Sequence, residues 1–155
     1  MLTALGKPGD LTSDCSDITN ATILAMIQTR DVGPFRATGL SPALDDLVAI
    51  FASVKANKPD LYAILGTEGM LCCRAVRGST TNFSNHSWGT AIDMTIGGIL
   101  TNMNSPTVPQ GLVDLYDYFH AQGWFWGAGY QGRTDPMHFE VSNQRILAWK
   151  SSGVI

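Results

Sequence analysis

Ser84-Asn85-His86-Ser87-Trp88-Gly89-Thr90-Ala91-Ile92-Asp93 is the stretch whose reading decides the fold. Its second half, Gly89 to Met94, reads as a β-strand: by the period of two, Ala91 and Asp93 share one face while Ile92 and Met94 take the other. His86 lies in the loop that leads into this strand, and Gly89 lets the backbone turn sharply between the imidazole and the carboxylate. Much later, Asp135-Pro136-Met137-His138-Phe139-Glu140 leads into a second strand. There His138 and Glu140 face one side, and Phe139 and Val141 enter the core. Two neighbouring strands of this kind bring His86, Asp93 and His138 to one point above a sheet.

Working outward, the remaining elements are mixed α and β. Ile18 to Ile27 suggests a short early helix, and Asp31 to Gly39, with Gly33-Pro34, reads as a turn or loop. Ser41-Pro42 reads as an N-cap followed by proline at the first helical position. Leu44, Leu47, Val48, Phe51 and Val54 then recur at helical spacing, which predicts a helix with one buried stripe ending near Asn57 to Pro59. Leu61 to Leu65 reads as a short helix and Met70 to Val76 as a compact strand. Val108 to Ala121 is expected to be helical, with Leu112, Leu115, Tyr116 and Phe119 as its stripe and Gly123 as its stop. Gly123 to Gly127 reads as a strand, and Asn143 to Lys150 as a closing helix. Short antiparallel strands with helices on one face make an α+β fold.

Composition narrows the classes. At 155 residues the chain is expected to form one domain, 1–155, with 1–60 as a helical N-terminal part and 61–155 as the core that carries His86, Asp93 and His138. A hydrophobic share of 45% against 15% charged residues argues against disorder. A net charge of −3 leaves no basic footprint for nucleic acid, and no apolar run is long enough for a membrane span. Met1 to Asp10 lacks the charged and then apolar regions of a secretory signal. Cys15, Cys72 and Cys73 make no disulfide framework; free buried thiols are expected, with a bridge from Cys15 to either neighbour as the alternative.

The chemistry follows from the donor types. Two histidines and one aspartate are a three-ligand set for a catalytic Zn2+ that keeps a position open for water. Asp135 precedes His138, with the stiffening Pro136 between them, and is placed to take that water's proton and deliver it to a leaving amine. Arg74 is the choice for stabilising the oxyanion, with Arg77 as its rival. Ser84 is placed to orient the loop at His86 or to touch substrate, and Trp126 is a candidate stacking surface for peptide or glycan. Glu140 is expected to orient a ligand histidine through its second ring nitrogen.

Cys73 to Ser79, Ser84 to Asp93, Trp126-Gly127 and Asp135 to Glu140 together resemble the M15 zinc peptidases: D-alanyl-D-alanine carboxypeptidases, vancomycin-resistance dipeptidases and the L-alanyl-D-glutamate endopeptidases of phage endolysins. The SxHxxGxAxD pattern is complete, and so is the DxMHFE-type ending. The resemblance implies zinc on His86, Asp93 and His138, with Asp135 as general base and Arg74 as the carbonyl stabiliser. It also implies a Hedgehog/DD-peptidase-like fold and cleavage of a peptide bond in peptidoglycan stems. One departure is that many relatives carry Glu where this chain has Asp135.

Blander explanations accompany each residue. His120 reads as a surface group, Asp135 can cap a turn, Arg74 can be a scaffold ion-pair partner, and tryptophans usually line cores or rims. Two other function classes compete: a thiol hydrolase using Cys72 or Cys73 with a histidine, and a zinc-bearing module that binds cell wall without cutting it. The expected setting is the bacterial cell wall, reached by phage-type release or by another export route, with a peptidoglycan peptide as substrate and a monomer as the working form.

Overall fold

The computed structural model describes residues 1–155, all of them placed. Its N-terminal third holds α1 (Leu2–Leu5), α2 (Ala21–Met26), the strands β1 (Ile27–Asp31) and β2 (Arg36–Leu40), and α3 (Ser41–Asn57). There follow α4 (Pro59–Ala63), β3 (Leu65–Gly69), β4 (Ala91–Ile96), β5 (Ile99–Leu100), α5 (Gln110–Ala121), β6 (Trp124–Trp126), β7 (His138–Val141) and α6 (Asn143–Ser151). The architecture is α+β. β1 and β2 pair antiparallel in a sheet of their own, and the larger sheet runs β3-β4-β7-β6, with β5 added to β4.

The expected alternation is realised in β4 and β7. Their register sets Asp93 opposite His138, Ile92 opposite Phe139 and Ala91 opposite Glu140. Residues directly opposite one another in an antiparallel pair project to the same face. One face of the sheet therefore carries Asp93, His138 and Glu140, and the other carries Ile92 and Phe139. The apolar face is sealed by α3 and α5: Ile92, Met94, Leu112, Leu115, Phe119 and Phe139 are all buried. Phe119 stacks on Phe139 at 4.2 Å between ring centroids and meets Phe51 of α3 edge-on at 6.1 Å. Truncating such a ring to alanine costs about 3–5 kcal/mol. The layer is also locked by polarity. Asp46 of α3, 4% exposed, accepts hydrogen bonds from Trp124 Nε1 (3.0 Å) and from Arg145 Nε (3.1 Å) on α6.

The structure corrects several expectations. Asp31 to Gly39 is not a plain loop but most of a hairpin, closed where Val32 N–H donates to the Phe35 carbonyl and Asp31 Oδ1 accepts from Gly33 N–H. The alternation there is weak because β1 is largely solvated. Leu40, not Ser41, is the N-cap of α3, and Ser41 makes no capping bond. Val48 and Tyr116 are solvent-exposed, so the stripes of α3 and α5 are narrower than the spacing implies.

Met70 to Val76 is extended but is not a strand. Its only ladder contacts are isolated bridges, Ser16 with Cys73 and Ala75 with Phe83. The backbone groups there are spent on scattered partners: Cys72 N–H on the His86 carbonyl, Arg74 N–H on Ser87 Oγ and Ala75 N–H on the Thr12 carbonyl. The cysteines are not three free thiols either. Cys15 and Cys72 form a disulfide, and only Cys73 is free, buried beneath the strap of residues 10–16.

Candidate metal centre

His86 is presented by a short 3-10 turn, Asn85–Trp88, whose C-cap Gly89 sits at φ 62°. A side chain at Gly89 would also meet Gly39 Cα at 2.6 Å, so this position needs glycine for both its conformation and its space. Beyond it β4 delivers Asp93, and across the ladder β7 delivers His138. Three donor groups converge: His86 Nε2 lies 3.1 Å from His138 Nδ1 and 3.3 Å from Asp93 Oδ2, and His138 Nδ1 lies 3.1 Å from Asp93 Oδ1. Donors on a tetrahedral zinc shell of about 2.0–2.2 Å radius stand roughly 3.3–3.6 Å apart, so the set has the right size with slight contraction.

Outer partners fix which nitrogens face the centre. His86 Nδ1 is 2.9 Å from the Met70 carbonyl, which can only accept, so Nδ1 carries the proton and Nε2 presents a lone pair. His138 Nε2 is 3.0 Å from Glu140 Oε2, the carboxylate–histidine arrangement that orients metal ligands. Asn85 Nδ2 in turn donates to Glu140 Oε2 at 2.7 Å. Glu140 thus has the orienting place expected of it.

Electrostatics agree with a cation-seeking site. Burial alone would lower the His138 pKa, but the Asp93 and Glu140 carboxylates outweigh it and push it up to about 9. Burial would raise the Asp93 pKa, yet hydrogen bonds from both histidines hold it well below the usual carboxylate range. Glu140 is held down in the same way, against its own burial and chiefly by His138. Tyr130 is pushed up by burial and by the adjacent Glu140, so its phenol stays protonated.

Above the donors opens a cavity of about 300 Å³. Arg74, Arg77, Ser84, Asp135 and Arg133 line it together with the three donor residues, Tyr130 and Glu140. Asp135 is held from behind: its N–H donates to the Gly127 carbonyl at 2.9 Å, and its own carbonyl accepts from His138 N–H at 3.1 Å. Its Oδ1 is buried without a hydrogen-bond partner, and burial pushes its carboxyl pKa up. Arg74 reaches the cavity from the extended arm, its Nη1 donating to the Ala75 carbonyl at 3.0 Å. Ser84 is almost buried, and its backbone braces the arm at the Arg74 carbonyl. Trp126 is placed elsewhere. Its Nε1 donates to the Pro136 carbonyl at 2.7 Å and its ring stacks on Phe139, so it supports the Asp135 loop from outside the cavity.

Tyr130 is a lining residue that sequence reasoning misses, whereas Arg133 lines the cavity from the Gly132-Arg133-Thr134 stretch, which reads from sequence as a loop over the cleft. Both fall in the glycine-rich segment between Trp126 and Asp135, which carries no periodic pattern from which to read a direction. No cysteine lines the cavity, so the thiol-hydrolase alternative has no nucleophile there.

A three-donor floor, oriented from behind and faced by an unpaired carboxylate and an arginine, is an arrangement that could hold one metal ion beside a proton acceptor and a guanidinium. Residues 77–141 match the family model described as D-alanyl-D-alanine carboxypeptidase, of the M15 peptidases. The M15 recognition read from the motifs therefore stands, and the matched stretch holds His86, Asp93, Asp135, His138 and Glu140 but begins after Arg74. No curated protein matches the chain.

Proposed function

We propose that this protein is a zinc-dependent peptidase that cleaves a peptide bond in the stem peptides of bacterial peptidoglycan, as an L-alanyl-D-glutamate endopeptidase or a DD-carboxypeptidase. His86, Asp93 and His138 hold the ion, and Met70 and Glu140 keep the two rings aimed at it. Zinc at this place supplies Lewis acidity and a water acidic enough to attack near neutral pH. Asp135 accepts the proton of the attacking water on its free Oδ1 and returns it to the departing amine. Arg74 offers a guanidinium to the carbonyl oxygen as negative charge develops there.

The observation that carries this reading is the buried, unpartnered Asp135 Oδ1 beside the donor triad. A buried carboxylate oxygen without a donor costs about 1–3 kcal/mol, a standing cost that a proton acceptor in catalysis makes sense of. A module that only binds has no use for it. The Cys15–Cys72 disulfide favours work in an oxidising setting, in keeping with action on the cell wall after release or export.

The test is incubation of purified protein with peptidoglycan, with and without a chelator, and mass spectrometry of the released fragments. Chelator-sensitive cleavage restored by zinc is expected, and the fragment masses name the bond. Stoichiometric bound zinc with no new amino groups released would overturn the peptidase reading in favour of a binding module.

A further inference from the structure

Asn85 stands one position before His86 in the short turn that carries it, yet its side chain serves the other histidine. An ionised carboxylate can only accept, so the amide nitrogen of Asn85 faces Glu140 and donates to its Oε2 at 2.7 Å. That same oxygen lies 3.0 Å from His138 Nε2. A single carboxylate oxygen therefore joins the turn of His86 to the ring of His138, behind the atoms that face the centre.

The main chain of Asn85 already fixes the turn itself. Its carbonyl accepts from Thr90 N–H at 3.3 Å and from Thr90 Oγ1 at 3.0 Å. Thr90 is fully buried, and its own carbonyl accepts from Val141 N–H of β7 at 2.9 Å. The turn is thus tied to β7 without the Asn85 side chain, which is left free to hold the carboxylate. Glu140 is largely buried, and its one ion-pair partner is His138. A buried carboxylate is costly unless donors surround it. Tyr130 supplies a second donor, its phenol hydrogen-bonding to Glu140. Its ring is steadied by stacking on Phe125 at 5.3 Å and lies 6.1 Å from the ring of His138.

We propose that Asn85 is a positioning residue for the metal centre: its amide holds the Glu140 carboxylate against His138 Nε2, and so sets the two histidines relative to each other. This rests on the reading of His86, Asp93 and His138 as the zinc ligands. It adds that the two histidines are aimed jointly, through a side chain on one of the two elements that carry them. Without the amide, Glu140 is free to turn into the cavity, and the His138 ring loses the partner that fixes its plane.

Two readouts independent of turnover test it: zinc affinity by dialysis against a competing chelator, and the visible spectrum of cobalt-loaded protein, which reports ligand geometry. Asn85→Asp keeps the side chain's shape and removes the N–H donor. Its added negative charge by itself favours a cation, so a fall in affinity reports the lost donor. A loss of about tenfold in zinc affinity, with altered cobalt bands, is expected. Asn85→Ala is expected to lose about as much in the parent, and to cost nothing further in a Glu140→Ala background, because it acts through that carboxylate. Asn85→Asp carries the test by itself where the alanine variant does not fold. Parent-like affinity and spectrum in Asn85→Asp overturn the proposal. Equal losses from Asn85→Ala in both backgrounds overturn the route through Glu140. A parent protein that binds neither zinc nor cobalt overturns the metal reading, and this proposal with it.

Discussion

The two sides of the cleft are built on different principles. The donor floor stands on a regular ladder, where the register of β4 against β7 sets Asp93 and His138 face to face. The arm that carries Arg74 and Arg77 has no ladder. It is an extended segment tied down by two isolated bridges, a disulfide to Cys15 and hydrogen bonds to the turn that bears His86. Position on the floor follows from backbone pairing, while position on the arm depends on several unlike tethers acting together. Substitutions on the floor should therefore remove a function outright, and those on the arm should degrade it in steps.

The largest effect is expected at His138. His138→Ala removes a donor that nothing nearby replaces, so metal and turnover should both vanish; metal content near the parent's would break the assignment of the floor. Arg74→Ala comes next, with kcat expected to fall about 10²–10³-fold at unchanged zinc content. Glu140→Gln should weaken zinc binding by about 10–100-fold, because it loosens the His138 ring without removing a ligand. Equilibrium dialysis against a competing chelator measures it.

The pH dependence of metal binding has a definite sign. The pKa of His138 in the metal-free protein is raised to about 9, so below that pH the ring holds a proton that zinc must displace. Zinc affinity is expected to rise by about tenfold per pH unit up to that pH, with proton release visible by calorimetry in buffers of different ionisation enthalpy. The raised pKa also means that the charged ring stabilises the metal-free fold, fully so below the ordinary histidine value. That contribution is lost as pH climbs through the folded-state value.

Much of the floor is legible in the sequence. Alternation sets Asp93 on the face opposite to Ile92 and Met94, and His138 on the face opposite to Phe139, and the ladder then has little freedom left. The arm reads as a strand because Met70 to Val76 has strand-like composition, and composition does not say whether a partner strand is available. The disulfide is legible only as the alternative to free thiols for a related reason: its cysteines lie 57 positions apart, and the contact that joins them is made by the irregular strap. Tyr130 is obscured by the absence of any period around it. Trp126 has the chemistry of a stacking surface, but its direction is set by the Pro136 carbonyl, a contact that no local pattern announces.

Smaller effects sharpen the contrast. Cys15→Ser releases a tether spanning 57 positions, whose chain-entropy value is about 4 kcal/mol as an upper figure. A clear fall in Tm is expected, with turnover reduced several-fold through looser placement of Arg74 while the ladder keeps its zinc. Unchanged turnover would show that the arm is positioned without the disulfide. The smallest effect is on the metal-free protein with Asp135→Asn. Burial raises this carboxyl's pKa, so the parent carries a penalty that is absent below the unfolded-state value and grows as pH rises through the folded one. The variant should melt slightly higher than the parent near neutral pH, and that advantage should disappear under acid conditions.

The same Asp135→Asn variant, loaded with zinc and assayed on a cleaved stem peptide, tests the central claim most directly. Zinc content equal to the parent's with kcat lowered by about 10²–10⁴-fold is the expected result, since only the proton acceptor is gone. Turnover close to the parent's at full zinc content would contradict the account and pass the proton-accepting role to another group.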